Sequence, residues 1–178
     1  NIGDYCKVLP IIGMENPYHY RNKVHAVFDR DRKENIISGI YQENTHNVVP
    51  VEKCMIEDQK ADEIIGTIRG MLKSFKIRTF DEDTGYGLLR HVLIRKGFTT
   101  GELMVCLVLN GDVKKLKAPE VLVERLVKLF PSHMASISCS INREKTNVIM
   151  GKEIVNLYGP GYITDYIGNV CYRISPLS

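Results

Sequence analysis

Seven apolar side chains, Ala61, Ile64, Ile65, Ile68, Met71, Leu72 and Phe75, recur at intervals of one, three or four residues. That spacing predicts an α-helix over residues 58–76 with one apolar face, and Lys60, Asp62, Glu63, Arg69 and Lys73 fall on the other. A helix with a single long apolar stripe must bury it against a second layer. The rest of the chain supplies that layer mostly as strands. Over residues 22–30, Val24, Ala26 and Phe28 alternate with a series begun by Arg21, Lys23 and His25. A polar turn at residues 31–35 leads to a second strand at 36–42, and a shorter extended piece follows at 47–51.

Beyond the helix, residues 88–95 and 103–109 read as two strands of a hairpin whose connection, 96–102, contains two glycines. A second helix is expected from Ala118-Pro119-Glu120, with Val121, Leu122, Leu126, Val127 and Phe130 as its buried stripe and Pro131 as its stop. Strands are then expected at 135–141, at 148–150 with 153–157, at 162–166 and at 170–174. Most connections are short, which favours antiparallel neighbours. The expected class is α+β, a mainly antiparallel sheet with two helices packed on one face, over a single domain of residues 1–178.

Composition sets outer bounds. Of 178 residues 44% are apolar, enough for one substantial core, and 25% are charged, too few for a disordered chain. No apolar run approaches the roughly 18 residues needed to span a bilayer. The opening Asn1-Ile2-Gly3-Asp4 carries neither an initiator Met nor a signal peptide, so a longer parent protein is expected. The five cysteines are odd in number and widely spaced, which favours a reducing, cytoplasmic setting over disulfides or a self-contained zinc site. Cys106, Cys139 and Cys171 read as small buried hydrophobes, whereas Cys54 has polar flanks, Glu52-Lys53 and Glu57-Asp58.

Two patterns invite a chemical reading. Asp83-Thr84-Gly85-Tyr86-Gly87 has the D-x-G-x-G form of a nucleotide or S-adenosylmethionine loop. Such a loop needs a buried strand before it and a helix after it; here a polar lead-in and a strand are expected instead, so it reads as a turn. The five histidines form no metal-binding spacing. Arg21, Lys23 and His25, expected on one strand face beside Tyr18 and Tyr20, suit contact with an RNA backbone and an unstacked base. On composition alone a solvated strand face explains them more simply, and net charge +3 permits nucleic-acid binding without demanding it. Arg90, Arg95 and Lys96 form a second basic group and Lys114, Lys115 and Lys117 a third, each read first as solvated surface.

Several stretches, in order and over nearly the whole chain, carry a resemblance. They are Ile12-Gly13-Met14-Glu15-Asn16-Pro17-Tyr18-His19-Tyr20-Arg21-Asn22-Lys23, Ser38-Gly39-Ile40-Tyr41 and Val49-Pro50-Val51-Glu52-Lys53-Cys54. Further on come Gly87-Leu88-Leu89-Arg90-His91-Val92-Leu93-Ile94-Arg95, Thr99-Thr100-Gly101-Glu102-Leu103-Met104-Val105, Asn147-Val148-Ile149-Met150-Gly151 and Ile174-Ser175-Pro176. Together they resemble the central domain of the 23S ribosomal RNA (uracil-5-)-methyltransferases. The resemblance implies a parent enzyme with S-adenosylmethionine as cofactor and ribosomal RNA as partner. It also implies an RNA-binding β-barrel and a cluster segment upstream and a methyltransferase domain downstream. The catalytic residues and the cofactor site would lie in that downstream domain, so the chain alone is expected to be inactive and to carry no cofactor. Cys54 matches the fourth thiolate of an iron–sulfur cluster that some parents hold; alone it would be a free thiol. Tyr20-Arg21-Asn22-Lys23 falls where the family faces RNA, in a less arginine-rich version, so Tyr20, Arg21 and Lys23, with His25 on the same expected strand face, are the expected RNA contacts. Two other functions stay open: a transfer RNA uracil-5-methyltransferase of the same superfamily, and a non-catalytic α+β protein-interaction domain.

Overall fold

The computed structural model describes residues 5–145 and 148–178; the opening tetrapeptide and Asn147, which belongs to one of the resembling stretches, lie outside the described residues. Described elements run β1 (Lys23–Arg30), β2 (Ile36–Tyr41), β3 (Val48–Pro50), α1 (Gln59–Ser74), β4 (Leu89–Lys96) and β5 (Leu103–Leu109). A 3-10 turn, Val113–Lys115, precedes α2 (Pro119–Leu129), β6 (Met134–Ile141), β7 (Glu153–Tyr158), β8 (Ile163–Ile167) and β9 (Val170–Ile174). Seven strands form one sheet in the order β3-β2-β1-β4-β5-β6-β7, and β8 with β9 makes a separate ribbon.

The helix predicted first is the one that organises this sheet. Asp58 caps α1 by accepting a hydrogen bond from the Lys60 amide at 3.0 Å. Ala61, Ile64, Ile65, Ile68, Met71 and Leu72 are buried, and they share a cluster with Val24, Ala26 and Phe28 of β1 and with Val92 and Ile94 of β4. Each large side chain so buried contributes about 1.5–3 kcal/mol. Leu122 and Leu126 of α2 join the same cluster, so both helices cover one face. The α+β expectation holds, with the main sheet mostly antiparallel.

The one departure in topology has a clear cause. β5 and β6 pair in parallel, Met104 with Ser136 through Leu109 with Ile141. Their connection contains α2, which carries the chain back to the starting end of the sheet, as a parallel neighbour requires. Three local expectations are also corrected. Residues 148–150 form no strand; the carbonyls of Val148 and Ile149 accept from the Asn142 side chain at 2.7 and 3.0 Å. Val121 is exposed, because the α2 stripe runs through Leu122 and Leu126 and leaves Val121 a helical step to its side. Cys171 is exposed too, since a two-stranded ribbon buries alternate residues; the small core it shares with Met104 takes Ile174 and Tyr172 instead.

That ribbon is tied to the β4–β5 turn by a carboxylate from each side, and Glu102 of the turn accepts from the amide and hydroxyl of Thr164 at 2.7 and 3.0 Å. Asp165 accepts from the amides of Phe98, Thr99 and Thr100 at 2.7, 2.9 and 3.4 Å. Burial opposes its ionisation, but these amides and that of Tyr166 outweigh it and hold the carboxyl below the usual range.

His91 of β4 is almost wholly buried, edge-on to Tyr41 at 6.2 Å between ring centroids. Burial first, then the charges of Arg90 and His25, push its pKa down to about 4. The imidazole is therefore neutral when folded but takes up a proton when unfolded at any pH below its ordinary value. Stability from this group is complete at neutral pH and falls as pH drops from about 6.5 toward 4. We expect wild type to lose about 2 kcal/mol more than His91→Gln between pH 7.5 and pH 5 in urea denaturation. Parallel losses in the two proteins would refute this assignment. His46 works the other way: its exposed ring bonds Asp83 at 2.7 Å, and that bond raises its pKa.

Candidate nucleic-acid interface

β1 presents Val24, Ala26 and Phe28 to the helices, so Lys23, His25 and Val27 project from the opposite face. Pairing with β4 sets Lys23 opposite Arg95 and His25 opposite Leu93. Two cations therefore stand side by side on adjacent strands, an arrangement that is unfavourable without an anion between them. The electrostatics follow. Partial burial, then Arg95, lowers the Lys23 pKa, and burial, then Lys23 and Arg95, lowers that of His25. Burial lowers Arg95. His25 Nδ1 and Arg95 Nε are buried without hydrogen-bond partners, while another Arg95 nitrogen donates to the Ser178 carbonyl. The group is cationic, partly desolvated and short of acceptors, which is what a phosphate oxygen supplies.

Arg21 stands apart from this trio. It precedes β1, where its amide donates to the Ile56 carbonyl at 2.8 Å and its carbonyl accepts from the Asp58 amide at 3.1 Å. Its guanidinium lies 4.0 Å from the Glu57 carboxylate, half exposed. Glu57 is itself buried, and burial and then Asp62 raise its pKa against the pull of Arg21. Tyr20 is about half exposed, next to this bridge. The structure thus brings Lys23 and His25 together, with Tyr20 and Arg21 at the rim leading to α1.

The second basic group dissolves on inspection of its contacts. Arg90 is buried: it grips Glu82 through two bonds of 2.9 and 3.1 Å, donates to the Glu144 carbonyl at 2.8 Å and stacks on Phe80. Lys96 alternates to the other side of β4 and ion-pairs with Asp58, the cap of α1. Arg95 alone turns toward Lys23, so Arg90, Arg95 and Lys96, expected as one basic group, occupy three separate surroundings. The signal was there in its parity: Arg95 shares a face with Leu93 and His91, not with Lys96.

Cys54 is half-buried near the start of α1, and its amide donates to Asp62 at 3.2 Å. With Arg21, Glu57, Asp62 and Arg69 it lines a cavity of about 160 Å³. The cavity opens where β1 has lost its β2 partner, since that ladder stops at Val27 opposite Gly39. The Asp83–Gly87 segment is a turn closed by Asp81, whose side chain accepts from the amides of Asp83 and Thr84. Gly87 has φ 116°, and a Cβ there would fall 2.0 Å from the Thr79 carbonyl oxygen. Its backbone is packed against the chain itself, and a strand follows, so this turn does not fit S-adenosylmethionine.

No family model matches the chain. It is 40% identical over 173 residues to an uncharacterized RNA methyltransferase of Clostridium tetani, covering 97% of this chain and 36% of that protein. An uncharacterized RNA methyltransferase of Staphylococcus epidermidis is 37% identical over 167 residues, covering 94% of the chain and again 36% of the relative. Among solved structures, the tRNA (uracil-54, C5)-methyltransferase of Pyrococcus abyssi, in complex with S-adenosyl-L-homocysteine, is similar with a TM-score of 0.72. That likeness covers 92% of this chain and 37% of the other at 24% identity, and it is a likeness of fold. The chain thus spans a little over a third of the length of the relatives it matches. Identity of this size along nearly all of its residues means that the chain belongs to the family of these bacterial RNA methyltransferases.

Proposed function

We propose that the chain is the RNA-contacting scaffold of an enzyme that methylates carbon-5 of a uridine in ribosomal RNA, with S-adenosylmethionine as methyl donor. The single observation that carries the RNA contact is the opposed pair Lys23 and Arg95, with His25 beside them. The methyltransferase relatives support an RNA substrate for the parent, and the cofactor product named with the Pyrococcus abyssi structure supports the donor. This reading assigns methyl transfer to the rest of a longer, cytoplasmic parent, so the present chain alone transfers no methyl group. Its role is to hold the target strand against a cationic face while the stacking groups, Tyr20 and His25, meet a base. A transfer RNA substrate is the second reading, favoured by the Pyrococcus abyssi likeness. Mapping 5-methyluridine in a strain lacking the whole gene decides between them: loss from ribosomal RNA supports the first, loss from transfer RNA the second.

Binding to a uridine-containing RNA hairpin should be weak and salt-sensitive, as followed by fluorescence anisotropy. Each phosphate contact removed should flatten the log-affinity against log-salt slope by about 0.7 for single-stranded RNA. Lys23→Ala with Arg95→Ala should therefore flatten it by about 1.4, and Arg21→Ala with Lys23→Ala by up to the same amount. An unchanged slope in folded double variants would remove the RNA contact from this face. A pure protein-interaction domain would show no salt-sensitive RNA binding at all.

The proposal leaves open a parent cluster that uses Cys54 as one thiolate, but one thiol does not hold a cluster on its own. The isolated chain should carry no stoichiometric iron or zinc. Burial pushes the thiols of Cys106 and Cys139 up to about 11 and about 12, and both are inaccessible. Cys54 should label with a maleimide well before either, with exposed Cys171 faster still. Peptide mass mapping of timed labelling gives the order, and equal rates for Cys54 and Cys106 would contradict it.

A further inference from the structure

The end of α1 is built in a way that a lysine does not favour. Ile77 donates its amide to the Leu72 carbonyl at 3.0 Å and Lys76 to that of Lys73 at 3.3 Å, a helix stop with Lys76 at φ 52°. The left-handed position of this motif is the usual seat of glycine, because a side chain there crowds the backbone. Ile77 and Leu72, the apolar pair that accompanies the motif, are both buried, so the stop itself is well made. The lysine is the unexpected part.

Its surroundings give it company. Lys76, Arg78, Lys115 and Lys117 line one cleft of about 290 Å³, together with Ile77, Gly87, Leu88 and Asn110, and no carboxylate lines it. Lys115 and Lys117 flank Leu116, which is buried in the core, so the two lysines are forced outward on either side of it. Among the described residues none of the four cations is in an ion pair. Arg78, at the rim, also borders a separate hollow that contains Asp29, Asp31 and Glu34. A helix C-terminus attracts Lys76, but that field does not account for two lysines from a connection some forty residues later.

We propose that this cleft is a second RNA phosphate site, at the opposite end of β4 from Lys23 and Arg95. The inference rests on the reading that the chain contacts RNA. Leu88 adjoins the first residue of β4 and Arg95 stands next to its last. At about 3.3 Å per residue the eight-residue strand separates the two sites by roughly 25 Å. The cleft borders the helix-side core through Ile77 and Leu88, whereas Lys23 and Arg95 face away from the helices, so a folded RNA that engages both wraps around the sheet; a mononucleotide engages one at most.

Lys76→Gly is the discriminating variant, because it relieves the backbone while removing the charge. Its melting temperature should be equal to or above that of wild type. Its affinity for the uridine-containing hairpin should fall, with the ratio of affinities at 50 and 200 mM salt shrinking by about 2.5-fold for the lost contact. Lys115→Ala with Lys117→Ala should shrink the ratio further, while the affinity of each protein for uridine monophosphate changes little. If Lys76→Gly and the Lys115/Lys117 pair bind RNA as wild type does, while Lys23→Ala with Arg95→Ala does not, this second site is wrong and the first reading stands. If wild type itself shows no salt-sensitive RNA binding, both are wrong.

Discussion

Leu103 to Leu109 present water with nothing to solvate on either side of the strand, and all seven residues are buried. A strand of that kind is tolerated only as an inner strand with both faces covered. β5 meets the requirement by pairing with β4 on one edge and β6 on the other. The two helices take Leu103, Val105, Leu107 and Leu109 on one face, and the small ribbon β8–β9 reaches Met104 on the other. The order of strands, the crossover through α2 and the placement of the late ribbon all answer to this one apolar run.

The same constraint explains why charge collects toward the β1 side of the second face. Toward β6 that face is lined by buried Ser136, Ser138 and Ser140, small enough to pack beneath covering chain. Toward β1 it carries His25 with Lys23 and Arg95, and the long stems of the lysine and arginine lie on the sheet while their heads seek water or an anion. The two cations, Lys23 and Arg95, are held close by strand register and have little freedom to separate. Repulsion between them is a fixed feature of the fold, and an approaching phosphate gains what the protein alone cannot recover.

The elements with the strongest patterns were readable from residues alone. Periodicity located α1 through its six buried residues, and the unbroken apolar run located β5 end to end. Alternation also separated Lys23 and His25 from the core. What periodicity lacks is register. Parity assigns Arg95 a face of β4, yet that it stands opposite Lys23, while Arg90 is buried on Glu82 and Phe80, follows only from strand pairing and long-range contacts. Residues 148–150 failed for a different reason: three apolar residues resemble a strand, but Asn142 takes their carbonyls first. Arg21 was displaced by Glu57, a partner 36 positions away that no local pattern announces.

Asp165 closes the turn between β4 and β5 from a position about 65 residues downstream. A chain made on a ribosome emerges in order, at about 5–20 residues per second. The hairpin that carries Arg95 on one arm and the central strand on the other therefore waits roughly 3–13 seconds for the carboxylate that fixes its turn. During that interval the amides of Phe98, Thr99 and Thr100 can be satisfied only by water. The second face of β5 is open for the same period, since Ile163 and Ile174 arrive with the same ribbon. In this fold the face that carries Lys23, His25 and Arg95 is completed only once the β8–β9 ribbon has been made, and its geometry depends on that later stretch of chain.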